Sequence, residues 1–92
     1  MSPMELVSAD LYEFNGNDFM VIADAYSGFV EATKLPRTTS AEIIKAFEKL
    51  FSFVGYPARL RTDNATNLCS AEAERYYDSK GIRHETSSPE FP

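Results

Sequence analysis

The chain has one cysteine, Cys69, and one histidine, His84, among its 92 residues. A lone cysteine excludes an internal disulfide and suits a reducing compartment. Cys69 has no base beside it and no triad pattern, which argues against nucleophilic catalysis. A histidine with no other soft or imidazole donor near it in sequence is equally poor material for zinc. Basic residues are scarce too: nine Lys and Arg face fourteen Asp and Glu, for a formal net charge of −5. Taken alone, that balance argues against a nucleic-acid platform, which should be basic. DNA held by this chain would need metal ions or other segments to offset the repulsion. No apolar run reaches the ~18 residues that span a bilayer, so no membrane partner is expected. The opening MSPMELVSAD lacks the basic and apolar blocks of a signal peptide. Repeats, low-complexity tracts and interdomain linkers are also missing.

What is present suffices for a core. The apolar fraction is 43 %, with seven phenylalanines and five tyrosines. A chain of this length makes a single domain, or part of one, spanning 1–92. It buries about 60–65 % of the surface it exposes when unfolded, so its stability is expected to be marginal.

Periodicity predicts the elements. ELVSADLYEF reads as a strand ending at Asn15-Gly16, a strong hairpin signal because both positions accept positive φ. DFMVIADAY follows, and its run from Phe19 to Ala23 is that of a central strand covered on both faces. Ser27-Gly28 makes the next turn, and FVEATKL runs on until Pro36 ends it. Ile43, Ile44, Phe47, Leu50, Phe51 and Val54 then form one helical stripe. Thr39 and Glu42 fit a capping box before it, and Gly55 takes the place of a left-handed C-terminal cap. ARLRTD is a short strand. SAEAERYYDSKG is a second helix, with Ser70 as its cap, Glu72 and Glu74 in its first turn and Lys80 in its last, complementing the dipole. IRHETS is a final strand. The order is β-β-β-α-β-α-β: an antiparallel meander, then α-linked parallel strands in one mixed sheet. A flavodoxin-like fold, which alternates β and α from the first strand, is contradicted by the Asn15-Gly16 hairpin.

That topology lays the fourth strand beside the first and makes Asp10 and Asp63 neighbours, although 53 residues separate them in sequence. Two carboxylates on adjacent strands repel unless a cation lies between them. Their oxygens are hard ligands suited to Mg²⁺ or Mn²⁺. Such a site needs acids and no basic residue. Asp63 has a second reading, because Asp followed by Asn at a strand end also forms an Asx turn. Asp10 is harder to assign to structure, since an acid in mid-strand is costly if buried unpaired. Asp24, just before a turn, reads as structural.

The acid in SADLYEF, the strand pair around DAYSGFVEA, then GYPARLRTDNATN and GIRHETSSPEFP together resemble the catalytic core of retroviral and long-terminal-repeat retrotransposon integrases, gypsy-like elements included. The resemblance runs from about residue 4 to 92. It implies a ribonuclease-H-like fold and a site of two aspartates and a glutamate, with Asp10 the first aspartate and Asp63 the second. The glutamate would follow Asp63 by roughly 35 residues, about seven past Pro92, on a last helix missing from these residues. The implied activity is metal-dependent DNA integration: 3′-end processing, then strand transfer by phosphoryl transfer with two Mg²⁺ or Mn²⁺ ions. With two of three ligands, weak metal binding and little catalysis are expected of this chain alone. DNA is the implied partner, with a homodimer formed partly through residues 40–54, and the implied location is intracellular, in the nucleus when acting on DNA. The alternative is a non-catalytic remnant serving as an interaction or dimerisation module.

Ala65 stands where the family has glycine, which predicts an altered loop behind Asp63. Leu68 and Ala73 stand where it has aromatic residues, which predicts looser packing under the second helix. Asn64 is a candidate phosphate or base contact and equally a turn former. Ser87 and Ser88 resemble the start of the family's mobile loop beside the DNA end. Arg59 and Arg61 read either as phosphate contacts or as solvated strand residues. Tyr76 and Tyr77 read as core.

Overall fold

Asn15 and Gly16 take φ of 54° and 77°, the pair of positive angles that a tight hairpin turn demands. They join β1 (Leu6–Phe14) to β2 (Asn17–Asp24), with Phe14 opposite Asn17. The remaining elements are β3 (Val30–Leu35), α1 (Ser40–Val54), β4 (Arg59–Thr62), α2 (Ala71–Ser79) and β5 (Arg83–Thr86). This computed structural model describes residues 5–86. The five strands form one mixed sheet in the order β3-β2-β1-β4-β5. β1, β2 and β3 pair antiparallel, while β4 runs parallel to both β1 and β5. The sheet is the one expected from the sequence, and it places β1 at the centre.

Strand alternation decides what the helices cover. Val7 and Ala9 of β1, Met20 and Ile22 of β2 and Leu60 of β4 are buried against Ile43, Phe47 and Phe51 of α1 and Ala73 and Tyr77 of α2. Phe47 is the hub: its ring stacks on Phe51 at 5.3 Å and meets the edge of Tyr77 at 6.0 Å. Burying a side chain of this size is worth about 1.5–3 kcal/mol. Both helices therefore lie on one face. The continuous apolar run in β2 had suggested cover on both, yet Phe19, Val21 and Ala23 on the other face are only half-buried among the described residues.

The caps follow the sequence with three changes. Thr39 accepts from the Glu42 amide at 3.3 Å, but the Glu42 carboxylate lies 4.0 Å from Lys45 rather than closing the capping box. Gly55 has φ 108° and ψ 148°, an extended conformation essentially confined to glycine and not the left-handed helical well. Its amide still donates to Phe51 at 2.7 Å. Lys80 is the C-cap of α2, outside its last turn, and its ammonium reaches Glu48 of α1 at 3.8 Å. Beyond it, Gly81 donates to Asp78 and Ile82 to Tyr77, a Schellman pair that turns the chain into β5.

Candidate metal centre

The pairing of β1 with β4 ends at Ala9 opposite Thr62. The next residue on each side is an aspartate. Parallel neighbours lie about 4.8 Å apart, so Asp10 and Asp63 leave the backbone side by side. Ala9 and Thr62 point into the core, 0 % and 1 % exposed, and alternation turns Asp10 to the opposite face of the sheet. There its carboxyl is raised above the ordinary carboxylate range, first by burial and then by the negative charge of Asp63. Sheet pairing thus brings together two acids from distant parts of the chain.

Asp63 also makes the turn. Its Oδ1 accepts from the Ala65 amide at 2.9 Å, and its carbonyl accepts from Thr62 Oγ1 at 2.9 Å and from Cys69 Sγ at 3.6 Å. The turn and the acid pair are not rival assignments: the Asx turn holds the carboxylate whose charge acts on Asp10. Ala65 does not have positive φ, so the loop carries no backbone strain at that position. Leu68 and Ala73 are fully buried, and Tyr77 Oη donates to the Leu68 carbonyl at 2.8 Å. Ser70 caps α2 through the Ala73 amide at 3.1 Å and touches Ser40 Oγ at 2.7 Å, while the Asn67 amide donates to the Thr38 carbonyl. The loop after Asp63 is tied to the start of α1.

The family model of the integrase core domain matches residues 2–92. This chain belongs to the integrase core domain family. An uncharacterized Caenorhabditis elegans protein is 38 % identical over 79 residues, 85 % of this chain and 6 % of that protein. The Gag-Pro-Pol polyprotein of Simian retrovirus SRV-1 is 31 % identical over 72 residues, 78 % of this chain and 4 % of the polyprotein. Among solved structures, the HTLV-2 integrase catalytic core domain in complex with magnesium, in its trimeric form, superposes with a TM-score of 0.84 at 29 % identity, covering 94 % of this chain and 61 % of that one. A chain of the simian T-cell lymphotropic virus intasome, bound to PP2A regulatory subunit B56 gamma, gives 0.86 at 29 % identity, over 97 % of this chain and 36 % of that one. The fold is ribonuclease-H-like, and the chain spans a small fraction of its curated relatives.

The other candidate residues of the integrase core divide clearly. Asp24 is structural: its oxygens accept from the Tyr26 amide at 3.1 Å and the Ser27 hydroxyl at 2.7 Å. Asn64 is exposed beside Asp63. Ser87 and Ser88 lie outside the described residues. Arg59 and Arg61 both face Glu85, at 3.7 and 3.5 Å. His84, set aside in the sequence as a lone histidine, is held on both ring nitrogens, by Glu74 at 2.7 Å and Thr62 at 2.8 Å. Its place in the alternation of β5, opposite buried Leu60, is the signal that it needed partners. Among the described residues no group of three or more His, Cys, Asp or Glu is placed to hold a metal ion. The Asp10–Asp63 pair nonetheless suits one in its chemistry: two hard carboxylates, one held partly out of water and opposed by the other's charge.

Proposed function

We propose that this chain is the two-aspartate part of an integrase catalytic core, with Asp10 and Asp63 as ligands for Mg²⁺ or Mn²⁺ and DNA as the substrate of the complete protein. The observation that carries the proposal is the juxtaposition of the two acids at the ends of paired β1 and β4. The family's activity is DNA integration. A divalent ion bound here would neutralise phosphate charge and activate an attacking oxygen. Asp10 supplies a partly dehydrated carboxylate from the rigid centre of the sheet. Asp63 supplies a second, oriented by the Ala65 amide. Asn64, exposed next along the loop, is the candidate contact for the DNA backbone.

Two carboxylates give weak affinity, in the millimolar range, and the isolated chain is expected to have little catalysis. NMR titration with Mg²⁺ tests this. The side-chain carboxyl resonances of Asp10 and Asp63 should move together and saturate at millimolar concentration, and Asp63→Asn should abolish the effect. Micromolar affinity, or shifts confined to other acids, would overturn the assignment.

A second reading is favoured by a separate observation. A groove of about 760 Å³ between β3 and the end of α1 is lined by Phe29, Ala32, Leu50, Phe53 and Val54, with Phe53 88 % exposed. The HTLV-2 core was solved in dimeric and trimeric forms. This face is where the chain would pair with a second copy.

A further inference from the structure

Behind Asp63 runs a line of three side chains that the acid pair does not account for. His84, its side chain 5 % exposed, has Nδ1 2.7 Å from Glu74 Oε2 and Nε2 2.8 Å from Thr62 Oγ1. The Tyr77 ring lies against it at a centroid distance of 4.7 Å. The Thr62 hydroxyl is also 2.9 Å from the carbonyl of Asp63. The line starts at half-exposed Glu74 on α2, crosses β5 and ends on the backbone of a candidate ligand.

Counting protons shows what the line can do. A hydroxyl has one hydrogen to donate. An ionised Glu74 accepts Nδ1–H, which leaves Nε2 of a neutral His84 as an acceptor that competes with the Asp63 carbonyl for the Thr62 hydrogen. If His84 carries both protons, Nε2–H donates to the Thr62 oxygen and the hydroxyl hydrogen goes to the Asp63 carbonyl. In either state His84 is one of the groups that set where the Thr62 hydrogen points, together with the Asp63 carbonyl and Cys69. Thr62 is also the last residue of β4, joined by one peptide bond to Asp63.

We propose that His84, gripped by Glu74, is a positioning residue for Asp63 and acts on it through Thr62. The consequence for metal binding rests on the reading of Asp63 as a ligand; the hydrogen-bond relay does not. Partners behind metal ligands commonly hold them in the orientation that binds, and their loss costs about 10–100-fold in affinity or activity.

The test compares the wild-type chain with His84→Leu, Glu74→Ala, Thr62→Val and Thr62→Ser. Each variant is read by the carbonyl ¹³C shift of Asp63, the amide ¹⁵N shift of Ala65, and Mn²⁺ titration followed by electron paramagnetic resonance. His84→Leu, Glu74→Ala and Thr62→Val should move the Asp63 and Ala65 signals and weaken Mn²⁺ binding roughly tenfold. Thr62→Ser, which keeps the hydroxyl, should restore both. Glu74 is half-exposed, so its variant keeps the test valid if His84→Leu unfolds. A histidine that merely fills space would lower the melting temperature and leave both signals and the Mn²⁺ affinity of the folded variants unchanged, which would overturn the proposal. Moved signals in a protein whose wild type takes no Mn²⁺ at the pair would defeat the metal reading and uphold the positioning one.

Discussion

At the residue scale, Asp10 sits mid-strand beside a second acid, and its burial and the Asp63 charge both resist ionisation. The folded state therefore holds the Asp10 proton more tightly than the unfolded chain does. The stability this contributes is complete below the ordinary value of 3.8 and is lost as pH rises through the raised folded value. Asp10→Asn removes the titration. In metal-free protein it should raise the melting temperature at neutral pH, with the gap from wild type closing below about pH 3.8. Thermal melts across pH 3–7 check this, and a variant that melts lower at neutral pH would show that Asp10 is structurally required. Saturating Mn²⁺ should narrow the gap by stabilising wild type selectively. Asp10 stood out in the sequence because acids are rare in mid-strand. Asp63 carried two readings in the sequence, because a turn former and a ligand look alike until a neighbour is placed beside them.

At the scale of elements, α1 and α2 are latched by polar groups as well as by Phe47. Glu48 accepts from Tyr56 Oη at 2.8 Å and Tyr76 Oη at 3.0 Å, and Lys80 covers the Tyr56 ring at 5.2 Å. The hydrogen bond from Tyr56 is the largest influence holding the Glu48 carboxyl below its usual range; the Tyr76 bond and the Lys80 charge add to it, and partial burial opposes it. A lowered folded value means that this stability is present above the ordinary value of 4.5 and fades as pH falls through the folded one. Glu48→Gln should accordingly lower the melting temperature at pH 7 and flatten the loss of stability in acid, as scanning calorimetry would show. Tyr76→Phe should cost about 1 kcal/mol for the lost hydrogen bond. Of the two tyrosines read as core, Tyr77 is fully buried while Tyr76 is only partly so. The helical stripe made α1 legible in the sequence. The latch was not, because it joins residues 28 apart whose meeting depends on how the helices pack.

At the scale of the whole molecule, the described chain leaves large apolar side chains in water: Phe53 at 88 %, Phe14 at 68 % and Val30 at 62 % exposed. Phe53 lines the groove beside β3 and contributes nothing to the buried core. Phe53→Lys should therefore leave the melting temperature of the monomer nearly unchanged and weaken self-association at least tenfold, about 1.4 kcal/mol. Sedimentation equilibrium measures this, and an unchanged association constant would remove the groove from the interface. The sequence resemblance implied residues 40–54 as part of a dimer face but not the groove with β3, because an amphipathic helix reveals that it has an apolar side but not how much of that side its own sheet covers.

What the sequence determined by itself was local: the hairpin at Asn15-Gly16, the stripe of α1, the caps at Thr39 and Ser70, and through them the order of elements. These depend on φ preferences and on periods of two and 3.6 residues, which act over a few neighbours. The order of elements already set β4 beside β1 and Asp10 near Asp63; most other meetings across the sheet were decided only by tertiary structure. The raised Asp10 carboxyl, the grip of Glu74 and Thr62 on His84, and the cover of only one face of β2 come from strand register and helix packing. Register is a property of the assembled sheet, and no short window of sequence contains it.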